Sequence, residues 1–189
     1  MLLRAFERFF PLTGRRIVIS YEKTSGCTKT ALNTCVLMSA GDLIAQIFIE
    51  KKSFKDYDAQ RTIRFGFVGL FIAGPSMHYW YRWLDKVIIT PKKCLKAATK
   101  KTLLDQLVFL PVYLGGYIGV MGALRNEKFK EINEKITRDF SPLLINSYQI
   151  WPVVQILNFH YVPLKYRIFL INIVGLAWNT YIGYCAETK

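Results

Sequence analysis

Residues 137–184 read TRDFSPLLINSYQIWPVVQILNFHYVPLKYRIFLINIVGLAWNTYIGY. From Leu143 to Pro163 only His160 can carry a charge, and from Ile168 to Ala186 nothing can. Each run is about as long as the ~20 helical residues that cross a bilayer core. Yet the first carries Asn146, Gln149, Gln155 and Asn158, and the second carries Asn172 and Asn179. A polar group in hydrocarbon has to find a partner there, because no water is at hand. The stretch therefore predicts two membrane helices whose amide faces are buried against other helices.

Moving toward the N-terminus, three more apolar segments appear: Thr30 to Glu50, Ile63 to Trp83 and Thr102 to Leu124. With a hydrophobic fraction of 52% and a mean hydropathy of +0.19, the composition suits a polytopic membrane protein better than a soluble one. The expected fold is all-α, a small bundle of four to five apolar helices forming one integral membrane domain over residues 1–189. Ahead of it, Leu2, Leu3, Phe6, Phe9 and Phe10 share one helical face opposite Arg4, Glu7 and Arg8, and Pro11 ends the pattern. That is an N-terminal amphipathic helix suited to the membrane interface, with any targeting information retained in the mature chain.

The formal charge of +13 raises the question of nucleic acid. The Lys and Arg residues fall mainly between the apolar segments, where phospholipid headgroups lie, so the lipid bilayer is the expected partner and no specific nucleic-acid motif is present. Residues 82–101 are read as the most basic loop. Residues 125–142, with mixed charge, are read as an amphipathic surface segment. Cys27, Cys35, Cys94 and Cys185 form no CxxC pair, and no HExxH, P-loop or GxSxG is found. No catalytic, metal or cofactor-binding residue is assigned, and an enzyme is not expected.

Pro75, Pro111 and Pro152 each fall near the middle of an apolar segment. A proline there removes a backbone hydrogen bond and would free the carbonyls of Phe71, Leu107 and Tyr148, so all three are predicted helix kinks. Asp42 is the one internal charge of the first segment, with Gln46 a turn later, and Gly41 beside it allows close helix approach. Asp105 and Gln106 are placed in the first turn of the third segment, which then presents Gly115, Gly119 and Gly122 as a small-residue packing face. In the fourth, Tyr148, Trp151, Gln155, Asn158 and Val162 share a face. Asp42, Gln46, Gln155, Asn158, Asn172 and Asn179 are accordingly the candidates to line a polar pathway. The plainer alternative is interhelical hydrogen bonding worth about 0.6 kcal/mol per contact.

Trp151-Pro152-x-x-Gln155-x-x-Asn158-Phe159-x-x-Val162-Pro163-x-x-x-Arg167, followed by Trp178-Asn179-x-Tyr181, resembles the signature of the Mpv-seventeen / peroxisomal 22-kDa membrane protein family. Gly41-Asp42 with Gln46, Gly74-Pro75 before Tyr79-Trp80-Tyr81, Leu84-Asp85 and Leu104-Asp105-Gln106 extend the resemblance over nearly the whole chain, with the signature region at about 125–186. It implies a multi-pass protein of the mitochondrial inner membrane, or alternatively of the peroxisomal membrane. A channel-like passage of small solutes, tied to organelle homeostasis and mitochondrial DNA maintenance, is the function implied. The run His78-Tyr79-Trp80-Tyr81 is similar to a mitochondrial branch tied to ribosome assembly, which makes a membrane scaffold or assembly factor the alternative. The partners implied are a second copy of the chain and components of the mitochondrial ribosome or nucleoid.

Overall fold

A computed structural model describes residues 25–53, 55–89 and 94–187, with side chains as far as residue 177. The amphipathic N-terminal segment and the side chains of Trp178, Asn179 and Tyr181 lie outside the described residues. Five helices make up the rest. Helix α1 runs Gly26–Ile44 and continues through a π-helical turn, Ala45–Ile49. Helix α2 (59–87) has a π turn at Gly69–Ala73, and α3 (Leu95–Leu124) has one at Asp105–Phe109. Helix α4 is Phe129–Tyr161 and α5 is Leu164–Glu187.

Local chemistry sets the boundaries. The Ser25 hydroxyl accepts from the Thr28 amide and the Asp58 carboxylate from the Arg61 amide, so α1 and α2 each open on a capped first turn. Val162 is extended because proline follows it, which ends α4, and Pro163 leads directly into α5. Two of the three proline sites match interruptions of the helical ladder. Pro75 and Pro111 each stand two positions after the end of a π turn, and that turn absorbs the bond the ring cannot make. Near Pro75 the Ser76 hydroxyl donates to the Ile72 and Ala73 carbonyls at 2.6 and 3.1 Å. Pro152 lies within an uninterrupted α4.

Side-chain contacts fix how the helices run. Thr30 meets His78 while Asp42 meets Thr62, so α1 and α2 are antiparallel. Tyr148 meets Gln106 while Gly122 packs on Ile132, so α3 and α4 are antiparallel as well. Thr34 pairs with Asn172 and Gly41 packs on Leu176, which makes α5 parallel to α1. One end of the bundle therefore carries the starts of α1, α3 and α5 with the ends of α2 and α4. The other carries the loop from Glu50 to Asp58 and the turn at Arg125–Lys128.

In the most apolar windows of α1 and α3 only 17% and 11% of residues are buried, so their greasy surface faces outward, as lipid-facing helices require. Phe71, Leu107, Val112 and Val153 are among the exposed apolar side chains. Among the described residues α1 and α3 are long and apolar enough to cross a membrane. The buried apolar cluster gathers Tyr81, Leu84, Ala98, Phe159, Ile168 and Ile171 where α2 to α5 meet.

The tight glycine face lies on a different helix from the one expected. Gly119 has nothing within 4 Å and a Cβ at Gly115 would only graze Phe140, leaving Gly122, against Ile132, as the close contact of that set. The close approach belongs to α2. A Cβ at Gly69 would stand 2.9 Å from Cys35 Cα, and one at Gly74 would stand 2.5 Å from Ala31 Cα. Backbone meets backbone there, so no rotamer change can make room. Gly74→Ala is expected to destabilise the protein by about 1–3 kcal/mol in detergent unfolding, whereas Gly116→Ala, in open space, should cost nothing. Equal effects of the two would contradict this packing.

Candidate functional site

Among the described residues, most charged and amide side chains of the interior fall into three separate groups. The first joins the end of α1 to the start of α2. The Asp42 side chain is fully buried; its Oδ2 accepts from Gln46 Nε2 at 2.8 Å and from the Thr62 hydroxyl at 2.6 Å. Arg61 Nε stands 2.6 Å from Oδ1 as an ion pair without hydrogen-bond alignment, and Arg61 Nη1 reaches Glu50 at 2.6 Å. Gln46 also holds the loop, donating to the Asp58 carbonyl and accepting from the Asp58 amide. At Glu50, burial works to raise the carboxyl, but the bonds from Lys52 and Arg61 outweigh it and hold the group below its ordinary range.

The second group is centred on Asp105. Because α3 begins at Leu95, Asp105 and Gln106 lie well inside the helix, in its π turn, and the expected first-turn placement is corrected. The helix extends one basic, amphipathic turn after another beyond the apolar run, and a hydropathy window does not register those turns. Asp105 is 2% exposed. Trp80 Nε1 donates to its Oδ1 at 2.9 Å; Gln155 and Gln106 donate to its Oδ2 at 2.7 and 2.9 Å. Gln155 Nε2 is also 2.9 Å from the Tyr81 hydroxyl, and Asn158 Nδ2 donates to Gln155 Oε1 at 3.2 Å. Tyr148 closes the group through the Gln106 carbonyl at 3.0 Å. Two further buried acceptors, Gln106 Oε1 and Asn158 Oδ1, have no hydrogen-bond partner among the described residues.

The third group is ionic. Lys101 and Arg167 both reach Asp85 Oδ1, Arg167 at 2.7 Å, and Arg167 Nε donates to the Val162 carbonyl at 3.0 Å. Lys101 and Arg167 are only 1% and 7% exposed, so these two cations do not belong to solvated loops as their sequence positions predict. Most of residues 82–101 is helical, and Lys101 lies on the inward face of α3. Likewise, residues 129–142 are the first turns of α4 and do not form a separate surface element.

The candidate pathway residues are thus divided. Asp42 and Gln46 belong to the first group, and Gln155 and Asn158 to the second. Asn172 pairs with Thr34 at 3.1 Å between α5 and α1. Asn179 lies outside the described side chains. Sequence reasoning left out Asp105, Tyr81 and Trp80 from the candidates, although a carboxylate beside an amide deep in an apolar run was signal enough for the first. Within the described residues no group of three His, Cys, Asp or Glu side chains could hold a metal ion, and Cys27, Cys35 and Cys94 are free thiols.

Comparison with known proteins gives these clusters a family setting. The profile of the Mpv17 / PMP22 family matches residues 122–183. The mitochondrial inner membrane protein Mpv17 of Danio rerio is 38% identical over 151 residues, covering 80% of this chain and 84% of that protein. The Homo sapiens protein of that name is 36% identical with 80% and 85% coverage, and the Drosophila melanogaster one 33% with 82% and 92%. No solved structure matches the chain. These relatives are named as membrane proteins and not as enzymes. The apolar helices, the buried polar faces and these matches together place the chain in the Mpv17 / PMP22 family, whose named relatives here are proteins of the mitochondrial inner membrane.

Proposed function

We propose that the protein passes small solutes across the mitochondrial inner membrane along the seam where α2, α3 and α4 meet. The observation that carries this reading is the Asp105 group: a buried carboxylate in the interior of an apolar helix, satisfied by neutral N–H donors and, among the described residues, bonded to no cation. An ionisable side chain at such a depth costs about 2.5–3.5 kcal/mol on insertion scales, and is retained where it serves a path. The open acceptors Gln106 Oε1 and Asn158 Oδ1 favour solutes that are cationic or rich in N–H and O–H donors. Supply of such solutes would tie the protein to organelle homeostasis and mitochondrial DNA maintenance without any catalytic step.

The test is conductance of the purified full chain in planar bilayers. Wild-type protein is expected to open discrete channels that prefer cations. Asp105→Asn should reduce that preference by about tenfold or more, because a unit charge about 4 Å from a passing ion contributes up to about 4 kcal/mol at an effective dielectric of about 20. A folded variant with wild-type selectivity would remove Asp105 from the path.

The second reading, a scaffold for ribosome assembly, rests on the first turns of α4, where Phe129 is 86% exposed amid Lys128, Lys130 and Lys135. A silent, folded protein that co-sediments with ribosomal subunits at physiological salt would favour it; release on modest salt would reduce the association to charge attraction.

A further inference from the structure

Away from the polar interior, a cavity of about 610 Å³ opens where the first turn of α1 meets the last turns of α2. One wall is the backbone and side chains of residues 25–27. The other is a ladder of His78, Arg82 and Lys86, spaced four apart and so on one helical face. Tyr79 and Trp83 flank the ladder, 66% and 46% exposed.

Among the described residues the charges here are not balanced: neither Arg82 nor Lys86 forms an ion pair, and the neighbouring acid of α2, Asp85, is committed to Lys101 and Arg167. His78 is held by Thr30, its Nδ1 3.3 Å from that hydroxyl. The pocket therefore presents two uncompensated cations beside the positive end of the α1 dipole, and its natural complement is an anion with several oxygens. Its position selects the source of that anion. The apolar segment of α2 ends at Trp83, at the depth of the membrane–water boundary, and exposed Tyr and Trp rings are the side chains that settle among glycerol and headgroups. A soluble anion has no use for those rings, whereas a phospholipid brings its phosphate to the cations and its glycerol backbone to the aromatics. We infer that this pocket is a binding site for the phosphate headgroup of an anionic phospholipid in the leaflet on this side.

The test uses the full chain in phosphatidylcholine vesicles containing a minor fraction of phosphatidic acid with brominated acyl chains. Trp83 serves as the reporter, because bromine quenches indole fluorescence. Wild-type protein should be quenched more by brominated phosphatidic acid than by brominated phosphatidylcholine at equal mole fraction, and Trp83→Phe should lose that excess. Arg82→Gln/Lys86→Gln, both exposed and expected to fold, should need about tenfold or more phosphatidic acid for the same quenching. Lys128→Gln/Lys130→Gln, which removes equal charge elsewhere, should behave as wild type. Three results would overturn the site: no excess for phosphatidic acid, an equal loss in the Lys128/Lys130 control, or an unchanged excess in the Arg82/Lys86 variant with a wild-type circular dichroism spectrum. Binding of inorganic phosphate in detergent by wild type but not by the Arg82/Lys86 variant, with no preference among vesicles, would assign the pocket to a soluble anion and overturn the lipid source.

Discussion

Asp85→Asn is expected to destabilise the protein by about 3–5 kcal/mol, because it strands two buried cations at once. Lys101 and Arg167 come from α3 and α5, and both converge on a single oxygen of a carboxylate at the end of α2. The Arg167 guanidinium also lies 5.2 Å from the centre of the Phe159 ring, so it is fixed from α4 as well. An amide of the same shape keeps the packing and removes the charge, which isolates the electrostatic part of the effect. The measurement is unfolding in detergent, followed by far-ultraviolet circular dichroism. Asp85→Asn/Lys101→Met should lose much less than the sum of the two single variants, since the second change removes one of the stranded charges. A single variant within 1 kcal/mol of wild type would mean that the cations find other partners.

The same carboxylate gives the fold an acid limit. Burial works to raise the Asp85 carboxyl, but the hydrogen bonds and charges of Lys101 and Arg167 outweigh it and hold the group below its ordinary 3.8. A group depressed in the folded state stabilises fully above its unfolded value and loses that contribution as the pH falls through the folded one. Wild type should therefore lose stability below about pH 4, and Asp85→Asn should show a shallower decline over that window.

How much of this could be read in advance depends on the kind of signal. Long apolar runs report a helix directly, which is why Thr102 to Leu124 falls inside α3 and Leu143 to Pro163 coincides with α4 as far as Tyr161. They under-report length, because Leu95–Leu104 and the first turns of α4 carry charge on helical structure and a hydropathy window counts them as loop. Lys101 shows the consequence: it sits in a basic sequence stretch, yet the helix turns it inward to Asp85. Pairings across helices are not written in local sequence. Gln155 and Asp105, fifty positions apart, meet only because α3 and α4 are antiparallel and in register. The glycines illustrate the same limit: Gly115, Gly119 and Gly122 have regular helical spacing, whereas Gly69 and Gly74 are five apart, and only their neighbours show which pair meets another backbone.

Asp42 provides the second large expected effect, and the form of its failure separates two roles. Its buried carboxylate takes hydrogen bonds from Gln46 and Thr62 and an ion pair from Arg61, and the same Gln46 holds the loop at Asp58. Asp42→Ala removes the shared acceptor and leaves the Arg61 charge with Glu50 as its remaining partner, a change expected to cost about 3 kcal/mol or more. Because the damage is local to the α1–α2 connection, proteolysis within residues 50–58 should accelerate before the whole bundle unfolds. Asp42→Asn keeps an acceptor oxygen for Gln46 and Thr62, and should recover part of the stability. Conductance then discriminates: if Asp42 acts only as a clamp, the stability of the two variants tracks their channel activity, and a folded Asp42→Asn conducts as wild type does. If Asp42 also faces a solute, Asp42→Asn recovers the fold but not the cation preference, since the charge is what it lacks. Stability and selectivity measured on the same two preparations decide between these, and wild-type selectivity in a stable Asp42→Asn protein would leave Asp105 as the carboxylate on the path.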